Sequence, residues 1–214
     1  MVVSFSGIDG AGKTTQINLL TNYCNKHGIK YIKRWSKARG TPGIMFLKRL
    51  VRRDKNMSQD QQVEYRDKIY KSSWKKKILY FLSMVDLCIY WGVYLRCIRH
   101  TSDLLILDRY LWDTYVEVSN EFHIENLNKR FLWKLVKFCS LKPNISVLLF
   151  IPPEESLRRD MLKGEITTDA LEVKQAKTDI YMRLKEQGVW STCIDSMVSI
   201  EQTHNEILKV LKFK

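Results

Sequence analysis

Short apolar runs alternate along the chain with longer stretches that have helical periodicity. Five of these runs have the length of buried β-strands. They span residues 2–6, 29–35, 103–108, 145–151 and 190–194. Strands that alternate with helices pair in parallel, and the helices cover both faces of the sheet. The sequence therefore predicts an α/β fold with a doubly wound, five-stranded parallel sheet.

The stretches between the strands carry apolar residues at helical spacing. Helices are predicted over 13–27, 44–53, 78–98, most of 110–139, the segment after Pro152, 170–185 and the C-terminal segment with Ile200, Ile207, Leu208 and Leu211. Within 110–139, the predicted apolar face consists of Phe131, Leu132, Leu135, Val136 and Cys139. Residues 158–169 are predicted to form the end of a helix and a polar flap.

The run from Ile78 to Ile98 is the most hydrophobic in the chain and is about long enough to span a bilayer. Asp86 lies near its middle, where a charge costs about 2.5–3.5 kcal/mol on insertion scales. A helix buried inside an α/β domain accounts for both the apolarity and an inward acid. We therefore favour a buried helix over a membrane span.

Length and composition are those of a single globular domain. The 214 residues show no shift of composition, so one domain over residues 1–214 is predicted. The five cysteines form neither a C-x-x-C pair nor a zinc pattern, and they are expected to be reduced thiols of a cytoplasmic protein. The four histidines are scattered as well, so no metal site built from protein ligands alone is expected. The N-terminus does not resemble a signal peptide.

The formal charge of +13 is concentrated in one quarter of the chain. Between Lys26 and Lys77, 17 lysines and arginines stand against four acidic residues. This excess suits a small anionic substrate, an anionic membrane surface or nucleic acid, and it is equally typical of a solvated basic face. Because no recognised nucleic-acid motif accompanies this basic region, no stable nucleic-acid complex is expected. Membrane association is not expected either. A homodimer is compatible with the sequence.

The most specific chemical signal lies between the first strand and the first helix. Residues 7–15 satisfy G-x-x-x-x-G-K-[ST], a spacing that wraps backbone N–H groups and a helix N-terminus round the phosphates of a nucleoside triphosphate. Lys13 can reach the β- and γ-phosphates, and Thr14 can hold Mg²⁺. The predicted phosphate-binding residues are Gly7, Asp9, Gly10, Ala11, Gly12, Lys13, Thr14 and Thr15.

A second chemical signal lies at the end of the third predicted strand. The apolar run of this strand ends in Asp108, which is followed by Arg109. In open α/β sheets, ligands bind at the carboxyl ends of the strands. Asp108 is therefore expected at the ligand-binding edge of the sheet.

The order of these motifs resembles that of the thymidylate kinase family of P-loop nucleoside monophosphate kinases. The segments that carry the resemblance are Gly7–Gln16, Leu107–Tyr110, Ile151–Glu154 and Cys193–Ile207. Together with the order of strands and helices, the resemblance covers essentially the whole chain. It implies Mg²⁺-dependent transfer of a phosphoryl group from ATP to a nucleoside monophosphate, dTMP being the first choice.

The resemblance also implies roles for individual residues near the acceptor. Asp108, together with Thr14, would hold Mg²⁺ or its water shell. Arg109 would grip the acceptor phosphate, and Asp9 would lie beside the acceptor. Residues 158–169 would form the lid that closes on ATP.

The lid is expected to supply a catalytic cation. In this family the cation comes from the phosphate loop or from the lid. Position 11 is alanine, and the phosphate loop contains no arginine. By the resemblance, Arg158, Arg159 or Lys163 would therefore act at the migrating phosphoryl group.

The departures from the family pattern cluster on the acceptor side. Residues 36–41 read Ser-Lys-Ala-Arg-Gly-Thr where the family typically has Arg-Glu-Pro-Gly-Gly-Thr. Glu117-Val118 falls near the Tyr-Gln pair that reads the base, and Asp169-Ala170 replaces an Asp-Arg pair of the lid. A kinase of the same fold that acts on another nucleotide or on a sugar phosphate is therefore the alternative. A regulatory NTPase or a nucleic-acid-binding module is a more distant one.

Overall fold

The sheet has the architecture that the sequence predicts. The computed structural model describes residues 1–36, 73–122, 124, 126–164 and 169–213, without the side chains of 73–77, 79, 121 and 122. Five strands form one sheet: β1 (Val2–Ser6), β2 (Tyr31–Trp35), β3 (Leu104–Asp108), β4 (Ile145–Phe150) and β5 (Thr192–Asp195). Their order is β2-β3-β1-β4-β5, and all four pairings are parallel. The predicted five-stranded parallel sheet is confirmed.

The described helices also follow the predicted pattern. They are α1 (Lys13–Lys26), α2 (Ser73–Ile89), α3 (Leu95–Ile98), α4 (Leu111–Phe122), α5 (Phe131–Cys139), α6 (Pro153–Leu162), α7 (Leu171–Glu186) and α8 (Ile200–Leu211). A π-helical turn at Tyr90–Tyr94 joins α2 to α3, and a 3₁₀ turn at Leu127–Lys129 precedes α5. The helix predicted over 44–53 lies outside the described residues. So do residues 37–41 of the 36–41 segment that departs from the family pattern on the acceptor side.

Two neighbouring strands bring the predicted site together. All five residues of β1 are buried, and so are the first four of β3, as expected of central strands covered on both faces. Phe5 in β1 lies opposite Asp108 in β3. The chain leaves both strands at the same edge of the sheet. The phosphate loop that follows β1 therefore lies beside the turn that follows β3.

The chain divides into two compact units. The first comprises Met1–Lys37, Ile98–Leu127 and Lys142–Lys214 and contains the sheet together with α1, α4, α6, α7 and α8. The second comprises Ala38–Cys97 and Asn128–Leu141, and its described part contains α2 and α5. A single domain over residues 1–214 stays a prediction.

The apolar helix of the second unit is less buried than the sequence suggests. Met84, Leu87, Trp91 and Leu95 are buried, as predicted for a core helix. The other apolar face is 37% to 59% exposed and consists of Ile78, Phe81, Val85, Ile89 and Val93. By length and composition alone, Tyr80–Ile98 is also long enough to cross a membrane, a test that core helices of soluble proteins pass as well. Because both faces are apolar, periodicity did not reveal which one is covered.

Helix α5 buries a different face from the one predicted. Trp133 and Val136 are buried, whereas Phe131 is 77% exposed and Leu135 is also exposed. The predicted face of α5 was therefore wrong for Phe131 and Leu135. Seven of the nine residues of this helix are apolar, so apolar side chains lie on more than one face, and burying the large indole of Trp133 removes a large apolar surface from water.

Candidate active site

The phosphate loop packs so closely against the sheet that two of its positions require glycine. Gly7 has φ 141°, and a Cβ there would lie 2.4 Å from the carbonyl oxygen of Leu149 in β4. Gly10 has φ 74°, and a Cβ there would lie 3.0 Å from the carbonyl oxygen of Ser156 in α6. Both values of φ lie in the region that favours glycine. Because these two residues have no side chain, the backbone of the loop can lie directly against β4 and α6.

Lys13 is the first residue of α1 and turns back over the loop. Its side chain is 5% exposed, and Nζ donates hydrogen bonds to the carbonyl oxygens of Gly7 (2.8 Å) and Ile8 (2.6 Å). Ala11 is buried, while the side chains of Thr14 and Thr15 are exposed at the start of the helix. The ammonium group and the helix N-terminus therefore lie at the same end of the loop, where anions are favoured.

The surroundings of Lys13 lower the pKa of its ammonium group. Burial, and next the positive charge of Arg109, lower the pKa of Lys13 to about 7. The opposing effect, which raises the pKa, comes from the carboxylates of Asp9, Asp113 and Asp108. A bound polyphosphate would add negative charge at Nζ and favour the charged form.

The turn after β3 carries Arg109 toward the phosphate loop. Arg109 has φ 60°, an uncommon value for a residue with a side chain, and its N–H donates to the carbonyl oxygen of Phe5 (3.0 Å). Its guanidinium donates to the carboxylate of Asp9 in the phosphate loop. Burial opposes the charge of Arg109, but nearby acids, Asp9 first, outweigh it and raise its pKa above the usual value. Arg109 is thus a fixed positive charge at the edge of the sheet.

Two oxygen-bearing side chains, those of Thr14 and Asp108, are the predicted Mg²⁺ ligands. Asp108 ends β3 and is half-buried, while the Thr14 hydroxyl is exposed at the start of α1. Burial raises the pKa of Asp108, although the charge of Lys13 works against this shift. Over the described ranges, no group of three or more His, Cys, Asp or Glu side chains is placed to hold a metal. Mg²⁺ commonly uses one or two protein oxygens and completes its shell with water and phosphate, which suits this pair.

The three predicted lid cations occupy different environments on α6. Arg159 is 26% exposed and donates to the carbonyl oxygens of Gly10 (3.3 Å) and Ser196 (3.0 Å). Arg158 is 63% exposed and donates to Glu155 (2.7 and 2.8 Å), whose pKa is held at about 2 by Arg158 and Arg159. Lys163 caps the end of α6 and is exposed, and residues 165–168 of the predicted lid lie outside the described ones. Arg159 is therefore the lid cation that contacts the phosphate loop.

A shallow cleft that is partly open to solvent lies beside Arg109. Its wall contains three cations and three acids, together with apolar and aromatic residues. The lining residues are Ile8, Asp9, Arg109, Val116, Glu117, Asp169, Lys174, Lys177 and Tyr181. Lys177 donates to Asp169, and Glu117 lies in the cleft that the resemblance assigns to the acceptor.

Comparison with known proteins shows the family of this chain. The family model for thymidylate kinase matches residues 91–207, which contain β3 with Asp108, the turn with Arg109, and α6. The chain belongs to the thymidylate kinase family. The family resemblance drawn from the motifs is thereby confirmed.

Similar curated proteins align along nearly the full length. A thymidylate kinase of Fervidobacterium nodosum is 26% identical over an alignment of 214 positions that covers 98% of each chain. A probable thymidylate kinase of Pyrococcus horikoshii is 26% identical and covers 98% of this chain and 95% of its own. A thymidylate kinase of a Sulfurihydrogenibium species is 25% identical, with coverages of 98% and 96%.

Family membership decides the class of chemistry. Thymidylate kinases are phosphotransferases of nucleotide biosynthesis that use ATP and Mg²⁺, and ATP-dependent phosphorylation of dTMP is the activity that the family and its named members support. The predicted kinase, its nucleotide donor and its metal are confirmed at this level. A regulatory NTPase is not favoured.

Sequence reasoning missed a buried ion pair beneath the active site of this thymidylate kinase family member. Lys174 in α7 donates to Asp160 (2.6 Å) and to the hydroxyl of Ser156 (2.8 Å), both in α6. The Ser156 hydroxyl in turn donates to the carbonyl oxygen of Asp9 (2.6 Å). This chain of contacts ties α6 and α7 to the phosphate loop. The only sequence signal is the i, i+4 spacing of Ser156 and Asp160, which does not reveal the partner.

A second missed residue is Asp113, in the first turn of α4. It is fully buried, and its carboxylate accepts hydrogen bonds from residues of β1, the phosphate loop, the turn after β3 and α7. An acid early in a helix usually indicates only a favourable contact with the helix dipole. Nothing in the sequence shows that four separate segments converge on this side chain.

Proposed function

We propose that this protein transfers the γ-phosphoryl group of ATP to dTMP and forms dTDP. The observation that carries the proposal is the contact between Arg109 and Asp9 at one edge of the sheet. It puts a cation suited to an acceptor phosphate beside the loop that suits the donor phosphates. Phosphoryl transfer depends mainly on such alignment and on positive charge near the migrating group.

Each predicted site residue has a role in this reaction that its surroundings support. Lys13 would contact the β- and γ-phosphates, which replace the loop carbonyl oxygens as partners of Nζ. Arg109 would bind the acceptor phosphate through two parallel N–H groups, a geometry that suits a phosphate dianion. Thr14 and Asp108 would hold Mg²⁺ directly or through water. The metal, when bound, neutralises charge on the donor phosphates.

Arg159, rather than Arg158 or Lys163, is our candidate for the lid cation. We expect Arg159→Ala to lower kcat by about 10²-fold or more, since an arginine finger is worth roughly 10³–10⁵-fold in GTPases. Arg158→Ala, one position earlier in α6, is the matched variant, because Arg158 shares Glu155 as a partner with Arg159 but is largely exposed. We expect its loss to be at least about tenfold smaller. Steady-state kinetics with ATP as the varied substrate separate an effect on kcat from one on KM. A larger loss for Arg158→Ala contradicts the assignment.

The acceptor specificity is tested by a panel of phosphate esters. We expect dTMP to give the highest kcat/KM for ADP release with ATP and Mg²⁺, compared with dUMP, dCMP, CMP, AMP, GMP and glucose 6-phosphate. The Glu117 carboxylate in the cleft can accept a hydrogen bond from thymine N3–H, but it cannot donate one to O4. A base with an amino group would satisfy the carboxylate as well. Turnover of dCMP or a sugar phosphate in the absence of turnover of dTMP would therefore overturn the choice of acceptor and leave the phosphotransfer in place.

We also propose a cellular location and an oligomeric state. Cytoplasmic location agrees with the free cysteines of the described residues, since reduced thiols are typical of that compartment. A homodimer is supported by the exposed apolar side chains of α2, because soluble proteins rarely leave a contiguous apolar patch uncovered. The partners proposed are small nucleotides, without a stable nucleic-acid complex.

A further inference from the structure

Four hydrogen-bond donors converge on the buried carboxylate of Asp113. Oδ2 accepts from the hydroxyl of Ser6 (2.7 Å) and from the N–H of Tyr110 (3.0 Å). Oδ1 accepts from the N–H of Gly7 (3.2 Å) and from the hydroxyl of Tyr181 (2.6 Å). Two acceptor oxygens with two donors each use nearly the whole capacity of an ionised carboxylate.

The four donors belong to separate parts of the fold. Ser6 ends β1, Gly7 opens the phosphate loop, Tyr110 follows Arg109 after β3, and Tyr181 lies in α7. Burial and then the charge of Asp113 raise the pKa of Tyr181 well above its usual value, so its hydroxyl stays a donor. Asp113 therefore joins the donor side of the site to the acceptor side through one side chain.

The backbone conformation of Arg109 depends on the hydrogen bonds around it, one of which is accepted by Asp113. With φ 60°, Arg109 has a conformation that few residues other than glycine adopt, so the surrounding contacts must hold it. Its own N–H is held by Phe5 (3.0 Å), and the next N–H, that of Tyr110, is held by Asp113 (3.0 Å). These two hydrogen bonds fix the turn that aims the guanidinium at Asp9.

We propose that Asp113 is a positioning residue for phosphoryl transfer, which acts by holding the turn that presents Arg109 to the acceptor phosphate. The inference rests on the proposed function, since it assigns the acceptor phosphate to Arg109. Asp113 itself touches neither substrate. Its carboxylate sets where Arg109 stands relative to the phosphate loop, and so relative to the γ-phosphate.

Asp113→Asn tests the proposal with almost no change of volume. The amide retains one acceptor oxygen and presents an NH₂ group in place of the other. A hydroxyl can turn to accept from this NH₂ group but a backbone N–H cannot, so an NH₂ group in the place of Oδ2 breaks the contact with the N–H of Tyr110. We expect kcat to fall by about 10²-fold, because displacing a substrate-positioning group by about 1 Å can cost that much. KM for the acceptor should rise as well, and KM for ATP should stay within about threefold, since the backbone groups of the phosphate loop remain.

Ser119→Ala is the matched control on the same helix. Ser119 is buried in α4, and its hydroxyl has no hydrogen-bond partner within the described part of the chain. Loss of this hydroxyl should leave kcat and both KM values within about twofold, as for other substitutions that break no contact. An Asp113→Asn variant that matches Ser119→Ala, or that raises KM for ATP as much as KM for the acceptor, overturns the proposal.

A double-mutant cycle with Arg109→Ala separates positioning from general support of the fold. If Asp113 acts through Arg109, Asp113→Asn should reduce kcat/KM for the acceptor by no more than about threefold once Arg109 is alanine. Losses that multiply in the double variant would show that Asp113 acts independently of Arg109. Calorimetric affinity for the monophosphate gives the same cycle without turnover.

Tyr181→Phe provides the test if Asp113→Asn does not fold. It removes one donor and leaves the carboxylate with the other three, so we expect a loss of about three- to tenfold in kcat that again disappears in the Arg109→Ala background. A loss that persists there counts against the proposal. The cycle is measured with whichever monophosphate the wild type binds, so a failure of the dTMP assignment does not decide it.

Discussion

We expect Lys13→Ala to lower kcat by about 10²–10³-fold while the protein stays folded. Nζ of Lys13 lies over the phosphate loop within 2.6 and 2.8 Å of its carbonyl oxygens, so the variant removes the cation nearest the expected γ-phosphate. Loss of a single preorganised donor in other active sites costs roughly 10²–10³-fold. ADP release with ATP, Mg²⁺ and dTMP measures the effect, and circular dichroism checks the fold.

Lys26→Ala is the control for this variant. Lys26 lies in the last turn of the same helix and is exposed, so its removal should leave kcat unchanged within about twofold. Near-normal turnover by a folded Lys13→Ala protein would contradict the assignment of the phosphate loop.

Proton uptake provides a second readout of Lys13. Its pKa of about 7 means that the free protein at pH 8 holds Lys13 mostly neutral, and bound phosphates favour the charged form. ATP binding at pH 8 should therefore take up a proton, and the affinity should fall as the pH rises above 7. Calorimetry in buffers of different ionisation enthalpy measures this uptake. Lys13→Ala should abolish it, and an unchanged uptake in that variant would assign the proton to another group.

Arg109→Ala should lower kcat/KM for dTMP by about 10³-fold, with a much smaller effect on KM for ATP. The guanidinium offers two parallel N–H groups to a phosphate dianion, and its loss also leaves Asp9 without its cation at the cleft. Steady-state kinetics with dTMP as the varied substrate measure the effect.

Two further variants identify the cause of that loss. Arg109→Lys keeps the positive charge but loses the two parallel N–H groups. Its kcat/KM for dTMP should therefore lie between those of the wild type and Arg109→Ala. Arg183→Ala removes an exposed arginine of α7 and should change kcat/KM by less than about twofold. If Arg109→Ala mainly raises KM for ATP, Arg109 belongs to the donor side.

Features built from consecutive residues could be predicted from the sequence. The phosphate loop is a run of adjacent residues with fixed spacing, and the strands that flank it are short apolar runs. Asp108 was expected at the edge of the sheet because it directly follows such a run, and β3 ends at that residue. The roles assigned to Lys13, Thr14, Asp108 and Arg109 stay predictions that the variants above test.

The coverage of the apolar helices could not be predicted in detail, because apolar residues lie on more than one face of each. In α5 the two lysines leave apolar side chains over most of the helix surface, and the structure buries the face with Trp133. In α2 two apolar faces are present, and one of them, with Phe81 and Val85, is exposed. Which face is covered depends on the shape of the neighbouring surface, which local pattern does not encode.

The sequence by itself determined the parallel sheet, the phosphate loop and the family, because each depends on local periodicity or on short motifs in a fixed order. Only the tertiary structure decided which lid arginine meets the phosphate loop and that Asp113 joins four segments. Asp113 and Ser6 are 107 positions apart, and Asp113 and Tyr181 are 68 apart. Contacts at such separations form only when β1, β3 and α7 have packed together, so the residues that hold the site in place leave no local pattern.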